Sequence, residues 1–176
     1  MEILTLAARI LNFEGVKLKK LYDDFKGSRI KELDFWLELQ NGVETCENFK
    51  DDDRVYIPKF YTEYSSDRVV TMEFIDHTLR IDDVDKIVDK YGRQQTDQYV
   101  SESLIDIFAK QIFLYGHVHV DGHPGNILIR DHPQHKNRPQ IVLLDHGHYC
   151  RVSDEFRLQF WNLWYSLVTF NEESVK

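Results

Sequence analysis

Three side chains between His117 and His148 carry the oxygen ligands that metal-assisted chemistry requires. They are Asp121, Asn126 and Asp145. Carboxylate and amide oxygens are hard ligands of the kind that Mg2+ binds. Phosphoryl transfer needs such ligands against the phosphates, together with a carboxylate that accepts or orients the proton of the nucleophile. The types and spacing of these residues therefore predict a phosphoryl-transfer site.

The order of these residues matches the protein-kinase pattern. Asp121 and Asn126 are five positions apart, as in the kinase catalytic loop H-R-D-x-x-x-x-N, and His119 lies two residues before the aspartate. Asp145 follows an apolar strand and begins Asp-His-Gly, where kinases have Asp-Phe-Gly. Strands are predicted at 127–130 and 140–144. Pairing of these strands as a hairpin would bring Asn126 next to Asp145.

A long amphipathic helix is predicted from Ser28, a favourable N-cap, to about Phe49. The apolar positions on one face are Leu33, Trp36, Leu37 and Val43. An adjacent polar line consists of Asp34, Glu38 and Asn41. Gly42 costs such a helix about 1 kcal/mol relative to alanine. The helix therefore combines a packing surface with a line of side chains suited to a polar site.

The rest of the chain alternates short strands with helices. Helices are predicted at 3–12, 82–92, from 96 or 101 to 115, and after Ser153, with a short helical piece ending at Gly27. Two β-rich segments between 55 and 75 are separated by a turn at 65–67. The core face expected on the helix ending at Tyr115 consists of Leu104, Ile105, Phe108, Ile112 and Phe113. The apolar stripe of the last helix consists of Phe156, Phe160, Leu163, Trp164 and Leu167.

Composition narrows the functional classes. With 176 residues, 42% of them hydrophobic, the chain is long enough to bury a real core. A net charge of -8 leaves no basic surface for nucleic acid. Cys46 and Cys150 predict neither a disulfide framework nor a zinc site, and fit a reducing compartment. No targeting or transmembrane segment is visible, because the chain begins acidic and its apolar run at 3–11 is shorter than the ~20 residues that span a bilayer.

The histidines of the central stretch leave a metal hydrolase open as an alternative. They lie at 117, 119, 123, 146 and 148. His117-x-His119-x-Asp121-x-His123 approaches the zinc motif His-x-His-x-Asp-His, although its last histidine comes one position late. Neutral imidazoles on one face of a strand can bind zinc. The alternative for His119 is a core histidine hydrogen-bonded to the backbone.

The motifs taken in order resemble one family, the UbiB or aarF-domain-containing (ABC1-type) atypical kinases. HVDGHPGNILI is similar to its signature H-x-D-P-H-P-G-N, and VLLDHGHY to its Asp-x-Gly motif in the form of the mitochondrial subgroup. KELDFWLELQNGVE is similar to the family helix E-x-D-x-x-x-E-x-x-N-A-E, and RVVTMEFIDH to the strand that enters its nucleotide hinge. With DEFRLQFWNLWYSL the resemblance covers nearly the whole chain. Aminoglycoside- and choline-type phosphotransferases share His-x-Asp-x4-Asn but not the Asp-Gly-His-Pro-Gly-Asn wording.

The resemblance implies an α+β, protein-kinase-like fold. Residues 1–80 would be a remnant of the N-terminal lobe, with the long helix and the hinge strands, and 81–176 the C-terminal lobe. The cofactors implied are ATP and Mg2+. A mitochondrial location is implied too, with a link to lipid or coenzyme Q homeostasis and, as partners, a lipid or quinone-related substrate and mitochondrial membrane proteins.

The resemblance also assigns roles residue by residue. Asp121 is the expected catalytic carboxylate in a catalytic loop that includes His119. Asn126 and Asp145 are the expected Mg2+ ligands. Glu38 or Glu32 would pair with a nucleotide-positioning lysine, and Glu38 is preferred because it lies on the polar line. Glu73 and Phe74 would offer backbone groups to an adenine; the alternatives are an exposed charged helix face and an ordinary sheet strand.

Departures from the family pattern affect the predicted activity. The alanine-rich loop, the strand lysine and the K-x-G-Q extension have no counterpart before residue 30. Gly122 replaces the usual proline and Gly42 the usual alanine. Without the lysine and loop, the charge of the transition state would be poorly neutralised. The sequence is therefore expected to be a partial or degenerate domain, either an atypical kinase or ATPase or an inactive pseudokinase that serves as a nucleotide-binding or interaction module.

Overall fold

The computed structural model describes residues 34–169. The helices are α1 (Phe35–Asn48), α2 (Val84–Tyr91), α3 (Ser101–Ala109) and α4 (Asp154–Thr169), and π-helical turns at Gln95–Val100 and Lys110–Tyr115 extend α3 at both ends. The strands are β1 (Val55–Tyr56), β2 (Leu79–Arg80), β3 (His117–His119), β4 (Ile127–Asp131), β5 (Pro139–Leu143) and β6 (Tyr149–Arg151). The helices predicted at 3–12 and before Gly27 lie outside the described residues. The mixture of helices and sheet confirms the α+β class.

The central sheet has the strand order β1-β5-β4-β2. β4 and β5 form the predicted antiparallel hairpin, with Ile127 opposite Leu143. β1 runs parallel to β5, which is buried along its whole length between its two neighbours. β3 and β6 form a separate antiparallel ribbon. The β-rich pair predicted between 55 and 75 forms only in part, since beyond β1 it contains just the isolated bridges Phe60–Met72 and Ser66–Val69.

The core packs residues of α1, α2 and α3 against the central sheet. Its fully buried side chains include Ile87, Ile107, Ile129, Ile141 and Leu143. The prediction that Ile105 lies on the core face of α3 is wrong, because Ile105 is 71% exposed, whereas Ile107 is fully buried. A π turn adds a residue to the helical repeat, so the buried positions shift away from those expected of a regular helix. Gly116 then ends this helical stretch in the left-handed conformation, with φ 61°, directly after the predicted helix end at Tyr115.

Helix α1 turns Glu38 and Asn41 of its polar line inward, whereas Asp34 is exposed. It begins at Phe35, where the side chain of Asp34 accepts a hydrogen bond from the Leu37 amide. The predicted cap Ser28 lies outside the described residues. Asn41 is buried, while Trp36 is 46% exposed. Burying a polar group is tolerated when hydrogen bonds satisfy it. The side of α1 that bears Glu38 and Asn41 thus faces the site, as described below.

Gly42 permits a close approach between α1 and the segment after β1. A Cβ built on Gly42 would lie 2.2 Å from Cζ of Phe60, whose ring also makes an edge contact with His146 at a centroid distance of 5.6 Å. No heavy atom fits at that distance without displacing the ring. The close packing of Phe60 against Gly42 therefore offsets the cost of glycine in helix propensity.

Replacing Gly42 by alanine is expected to lower the free energy of unfolding by up to about 2 kcal/mol. Overpacking costs about 1–3 kcal/mol, and better helix propensity returns about 1 kcal/mol. Urea denaturation measures the difference. The double variant Gly42→Ala/Phe60→Leu should lose less unfolding free energy than the sum of the losses in the two single variants, because the smaller leucine side chain makes room for the alanine. A gain in stability for Gly42→Ala alone would contradict this packing account.

Helix α4 leaves most of its apolar stripe exposed within the described residues. Phe156, Leu163, Trp164 and Leu167 are between 42% and 56% exposed. Phe160 stacks on Phe113 at a centroid distance of 5.5 Å, which is the main ring contact that attaches the helix. None of the helices described here is both long and apolar enough to span a bilayer.

Candidate active site

The predicted metal ligands meet at one end of the β4–β5 hairpin. The Asn126 side-chain amide donates to Oδ2 of Asp145 at 3.2 Å, and its other contact is the backbone carbonyl of Asp121, also at 3.2 Å. The register of the hairpin produces this meeting, because Leu144 N–H donates to the Asn126 carbonyl at 2.8 Å. Asn126 is buried and Asp145 is exposed. The hairpin therefore holds both side chains at the edge of solvent.

Asp145 has the left-handed backbone conformation that non-glycine residues rarely adopt, with φ 55°. Its Oδ1 accepts the Gly147 amide at 3.2 Å, and a Cβ on Gly147 would lie 3.3 Å from that same oxygen. The Asp-His-Gly sequence thus forms a tight turn around its own carboxylate. Strained residues of this kind concentrate at functional sites.

The backbone of Asp121 is fixed from two sides. Nδ1 of His119 accepts the Asp121 amide at 3.2 Å, while Asn126 donates to its carbonyl. His119 is itself buried; Gln111 accepts its backbone amide at 2.7 Å, and its Nε2 lies 3.4 Å from the Leu144 carbonyl. The structure thus gives His119 the backbone-bonded position that the sequence left as an alternative, and His119 orients the Asp121 loop.

Glu38 of α1 reaches the same place. Burial raises the pKa of Glu38, and the negative charge of Asp145 raises it further, against the effect of a hydrogen bond from the His146 backbone. Within residues 34–169, no lysine or arginine forms an ion pair with Glu38, Asp121 or Asp145. Glu32, the alternative to Glu38, lies outside the described residues. The site therefore combines three carboxylates with an amide and, within the part of the chain that is described, no neutralising side chain.

Neutral aromatic groups pack beneath this site. His146 is fully buried, with Nδ1 2.8 Å from the Tyr149 hydroxyl and Nε2 3.3 Å from the Leu143 carbonyl. Burial lowers the pKa of His146 to about 3, and the nearby His119 adds to that effect. His117 stacks on Tyr149 at a centroid distance of 4.3 Å. Beneath Asp145, the His146 ring is therefore neutral at physiological pH.

Sequence reasoning missed two residues of the site. Gln111 is a polar side chain among apolar neighbours on the helical stretch before Gly116, and its 1% exposure shows that it points inward. That break in the apolar pattern was a usable signal. Tyr149 follows the Asp-His-Gly turn on β6, and no local pattern marks it as a partner of His146.

The predicted adenine-binding residues lie in an extended segment after the Phe60–Met72 bridge. The backbone amide of Glu73 donates to the Lys59 carbonyl at 2.8 Å, and its carboxylate accepts from the Tyr56 hydroxyl. Phe74 is 86% exposed. Their adenine-binding role stays a prediction, with the backbone amide of Glu73 already occupied.

The histidines of the proposed zinc hydrolase do not converge. Nε2 of His117 lies 3.3 Å from Oδ1 of Asn41, Nδ1 of His119 accepts the Asp121 amide, and Nδ1 of His123 accepts the Gly125 amide at 3.0 Å. Among residues 34–169 these side chains do not form a group whose ligand atoms lie close together. Their local hydrogen bonds explain their spacing without a metal.

Elsewhere in the described part of the chain, the ligand atoms of Asp53, His132 and His135 lie within 4.8 Å of one another. Nδ1 of His132 accepts the amides of Gln134 and His135, both at 3.1 Å. The ring proton must therefore sit on Nε2, which lies 3.6 Å from Oδ2 of Asp53, too far for a hydrogen bond. Arg138 already binds that carboxylate through two hydrogen bonds at 2.9 and 3.0 Å. These contacts fasten the β4–β5 turn to the loop before β1.

Comparison with known proteins decides the family. The model of the ABC1 atypical kinase-like domain matches residues 1–176. The chain belongs to this family. It is 41% identical over 164 residues to the probable serine/threonine-protein kinase abkD of Dictyostelium discoideum, covering 93% of this chain and 23% of that protein. It is 35% identical over 179 residues to AarF domain-containing kinase 1 of Drosophila melanogaster, covering 100% of this chain and 33% of that protein.

A solved structure shows the same fold. The structure of Rv3197 from Mycobacterium tuberculosis, determined in complex with erythromycin, superposes with a TM-score of 0.71 at 18% identity. The superposition covers 93% of this chain and 38% of that chain. The kinase-like α+β fold expected of the ABC1 chain is therefore confirmed. The chain spans between about a quarter and two fifths of the length of these relatives.

Proposed function

We propose that this ABC1 domain binds Mg2+–ATP and takes part in atypical kinase or ATPase chemistry. The observation that carries the proposal is the contact between Asn126 and Asp145 at 3.2 Å beside Asp121 and Glu38. Two ligand-type side chains, one just before β4 and one just after β5, meet at a carboxylate-rich edge. Within residues 34–169, no lysine or arginine pairs with these carboxylates. A divalent cation would relieve that repulsion, and its phosphate ligand would complete the coordination.

The side chains present fit the cation. Asp145 would contribute a carboxylate oxygen, and Asn126 would contribute its amide oxygen after a rotation of the amide group. Bound Mg2+ supplies charge neutralisation for the transferring phosphoryl group. Asp121 is exposed at the end of a loop held by His119, where it is placed to orient the proton of an attacking hydroxyl. The carboxylate of Glu38 bounds the site on the α1 side.

A binding module without turnover is the second candidate. It is favoured by one observation, namely that none of the lysines and arginines within residues 34–169 pairs with Glu38. In that case Mg2+–ATP would bind but no phosphate would be released. Nucleotide binding and single-turnover phosphate release, measured on the same preparation, separate the two candidates.

Mg2+–ATP at about 100 times its dissociation constant is expected to raise the melting temperature by roughly 5–10 °C, because it binds the native state only. Asp145→Asn should abolish the rise by removing a charged ligand. Asp89→Asn, on the exposed face of α2, is the matched control and should keep it. Absence of a shift for the unmodified protein would overturn nucleotide binding.

A mitochondrial location and a link to lipid or coenzyme Q homeostasis form part of the same proposal. They rest on the Asp-His-Gly form of the metal-binding turn, which resembles the mitochondrial subgroup. Their partners would be a lipid or quinone-related substrate and mitochondrial membrane proteins. Quantifying coenzyme Q and phospholipids in purified mitochondria, with and without the protein, tests this part, and unchanged levels would count against it.

A further inference from the structure

Asn41 is a buried polar residue through which α1 contacts the site. Its side chain is 8% exposed and donates from Nδ2 to the His146 carbonyl at 2.9 Å. Its Oδ1 lies 3.3 Å from Nε2 of His117. A carbonyl only accepts hydrogen bonds, so the amide nitrogen must face His146, and the remaining oxygen then requires the Nε2–H tautomer of His117. The orientation of all three groups is therefore mutually fixed.

The two partners of Asn41 belong to the two halves of the active site. His146 directly follows the metal ligand Asp145, and its carbonyl lies in the tight turn closed by Gly147. His117 opens β3, the strand that continues into the Asp121 loop. One amide group thus joins α1 to the metal-binding turn and to the strand that leads into the catalytic loop.

This connection is neutral, whereas the ionic contact of α1 is peripheral. Glu44 pairs with Arg151 through both carboxylate oxygens, but Arg151 is 68% exposed and the pair is open to solvent. Exposed pairs of this kind contribute little to stability, because water screens both charges. Leaving the buried His146 carbonyl and the His117 ring N–H without a partner costs the full desolvation penalty of each group. Asn41 therefore contributes more to the docking of α1 than this ion pair does.

We propose that Asn41 is a positioning residue that locks α1 onto the turn at 145–147, and so sets the approach of Glu38 to Asp145. The lock uses uncharged hydrogen bonds and needs no ion pair between α1 and a lysine. Its effect on ligand affinity rests on the proposed binding of Mg2+–ATP. Its effect on the turn itself does not, because the contacts exist without ligand.

Hydrogen–deuterium exchange of the ligand-free chain tests the positional claim. Asn41→Leu keeps the approximate volume and removes both hydrogen bonds. It is expected to increase the exchange rate at 145–149 about tenfold or more under native conditions, while the β4–β5 core keeps its protection. Gln40→Leu changes the exposed neighbouring position and should leave exchange at 145–149 as in the unmodified chain.

A second pair of variants separates positioning from general destabilisation. His117→Leu should reproduce the local increase, whereas His117→Gln, which keeps a donor toward Asn41, should retain much of the protection. Asn41→Leu should also raise the dissociation constant for Mg2+–ATP about tenfold, although Asp145 is unchanged. This constant is measured well below the melting temperature of the variant.

The outcomes are distinguishable. If the unmodified chain does not bind Mg2+–ATP, the proposed function fails, and the exchange data alone decide the role of Asn41. A local increase at 145–149 in Asn41→Leu and His117→Leu, with protection largely kept in His117→Gln, supports the lock. Exchange in Asn41→Leu that is unchanged at 145–149, or that rises uniformly through β4 and β5, would overturn it.

Discussion

Lowering the pH from about 6.5 to about 4.5 is expected to destabilise the fold by roughly 1.4 kcal/mol per pH unit through His146 alone. The ring is fully buried, and its pKa is about 3 in the folded protein against 6.5 for an unperturbed histidine. Over this range the unfolded chain binds a proton that the native state excludes. The contribution of neutral His146 to stability is therefore fully present above about pH 6.5 and is lost as the pH falls toward 3.

Other groups add to this dependence or oppose it. Burial lowers the pKa values of His117 and His119 as well, so both act in the same direction. Glu38 opposes them, because its raised pKa favours protonation of the native state in acid. Asp52, whose pKa is lowered by Arg54 and Lys110 against the effect of burial, loses its contribution only below its unperturbed value of 3.8. The histidines therefore dominate between about pH 6 and 4.

Urea denaturation at a series of pH values measures this slope. His146→Gln should reduce the slope by roughly 1.4 kcal/mol per pH unit, which corresponds to one proton. If that variant does not fold, NMR titration of the histidine rings in the unmodified chain gives the same information. An unfolding free energy that stays flat between pH 6.5 and 4.5, or a His146 ring that titrates normally, would show that the buried neutral imidazole is wrongly assigned.

Replacing Asp121 by asparagine is expected to lower the rate of phosphate release by about 10²–10⁴-fold, the usual contribution of a positioned acid–base group. Binding of Mg2+–ATP should be unchanged. The loop is held by backbone contacts to His119 and Asn126, and these do not involve the Asp121 carboxylate. The substitution therefore removes the charge without releasing the loop.

Single-turnover measurement of phosphate release, with nucleotide affinity measured in parallel, separates chemistry from binding. Asp89→Asn again serves as the control for a lost surface charge. A full rate in Asp121→Asn would remove this carboxylate from the chemistry. An unmodified protein that binds Mg2+–ATP and releases no phosphate would identify the domain as a binding module.

The hairpin and its ligands could be predicted because the relevant information is local. Two apolar strands separated by a turn-rich loop allow few alternatives, and their register brings Asn126 beside Asp145. Motif spacing within a few residues of a strand end also survives small errors in the boundaries. The fold class was implied by the resemblance of the motifs to a known family.

The orientation of α1 could not be predicted from the sequence, because it depends on contacts with residues far along the chain. Asn41 contacts His146 and His117, which are 105 and 76 positions away. Gly42 looked unfavourable for the same reason, since the Phe60 ring that requires it comes from another segment. Hydrophobic periodicity shows that the faces of a helix differ in polarity, but tertiary contacts decide which face is buried.

The binding of Mn2+ in place of Mg2+, followed by electron paramagnetic resonance in the presence of ATP, tests the central claim most directly. The unmodified chain should bind about one Mn2+ in an ATP-dependent manner. Asn126→Ala and Asp145→Asn should each weaken that binding at least tenfold, as loss of a metal ligand requires, while Asp89→Asn should not. Equal Mn2+ affinity in the unmodified chain and in Asp145→Asn would contradict the assignment of this hairpin end as the metal–nucleotide site.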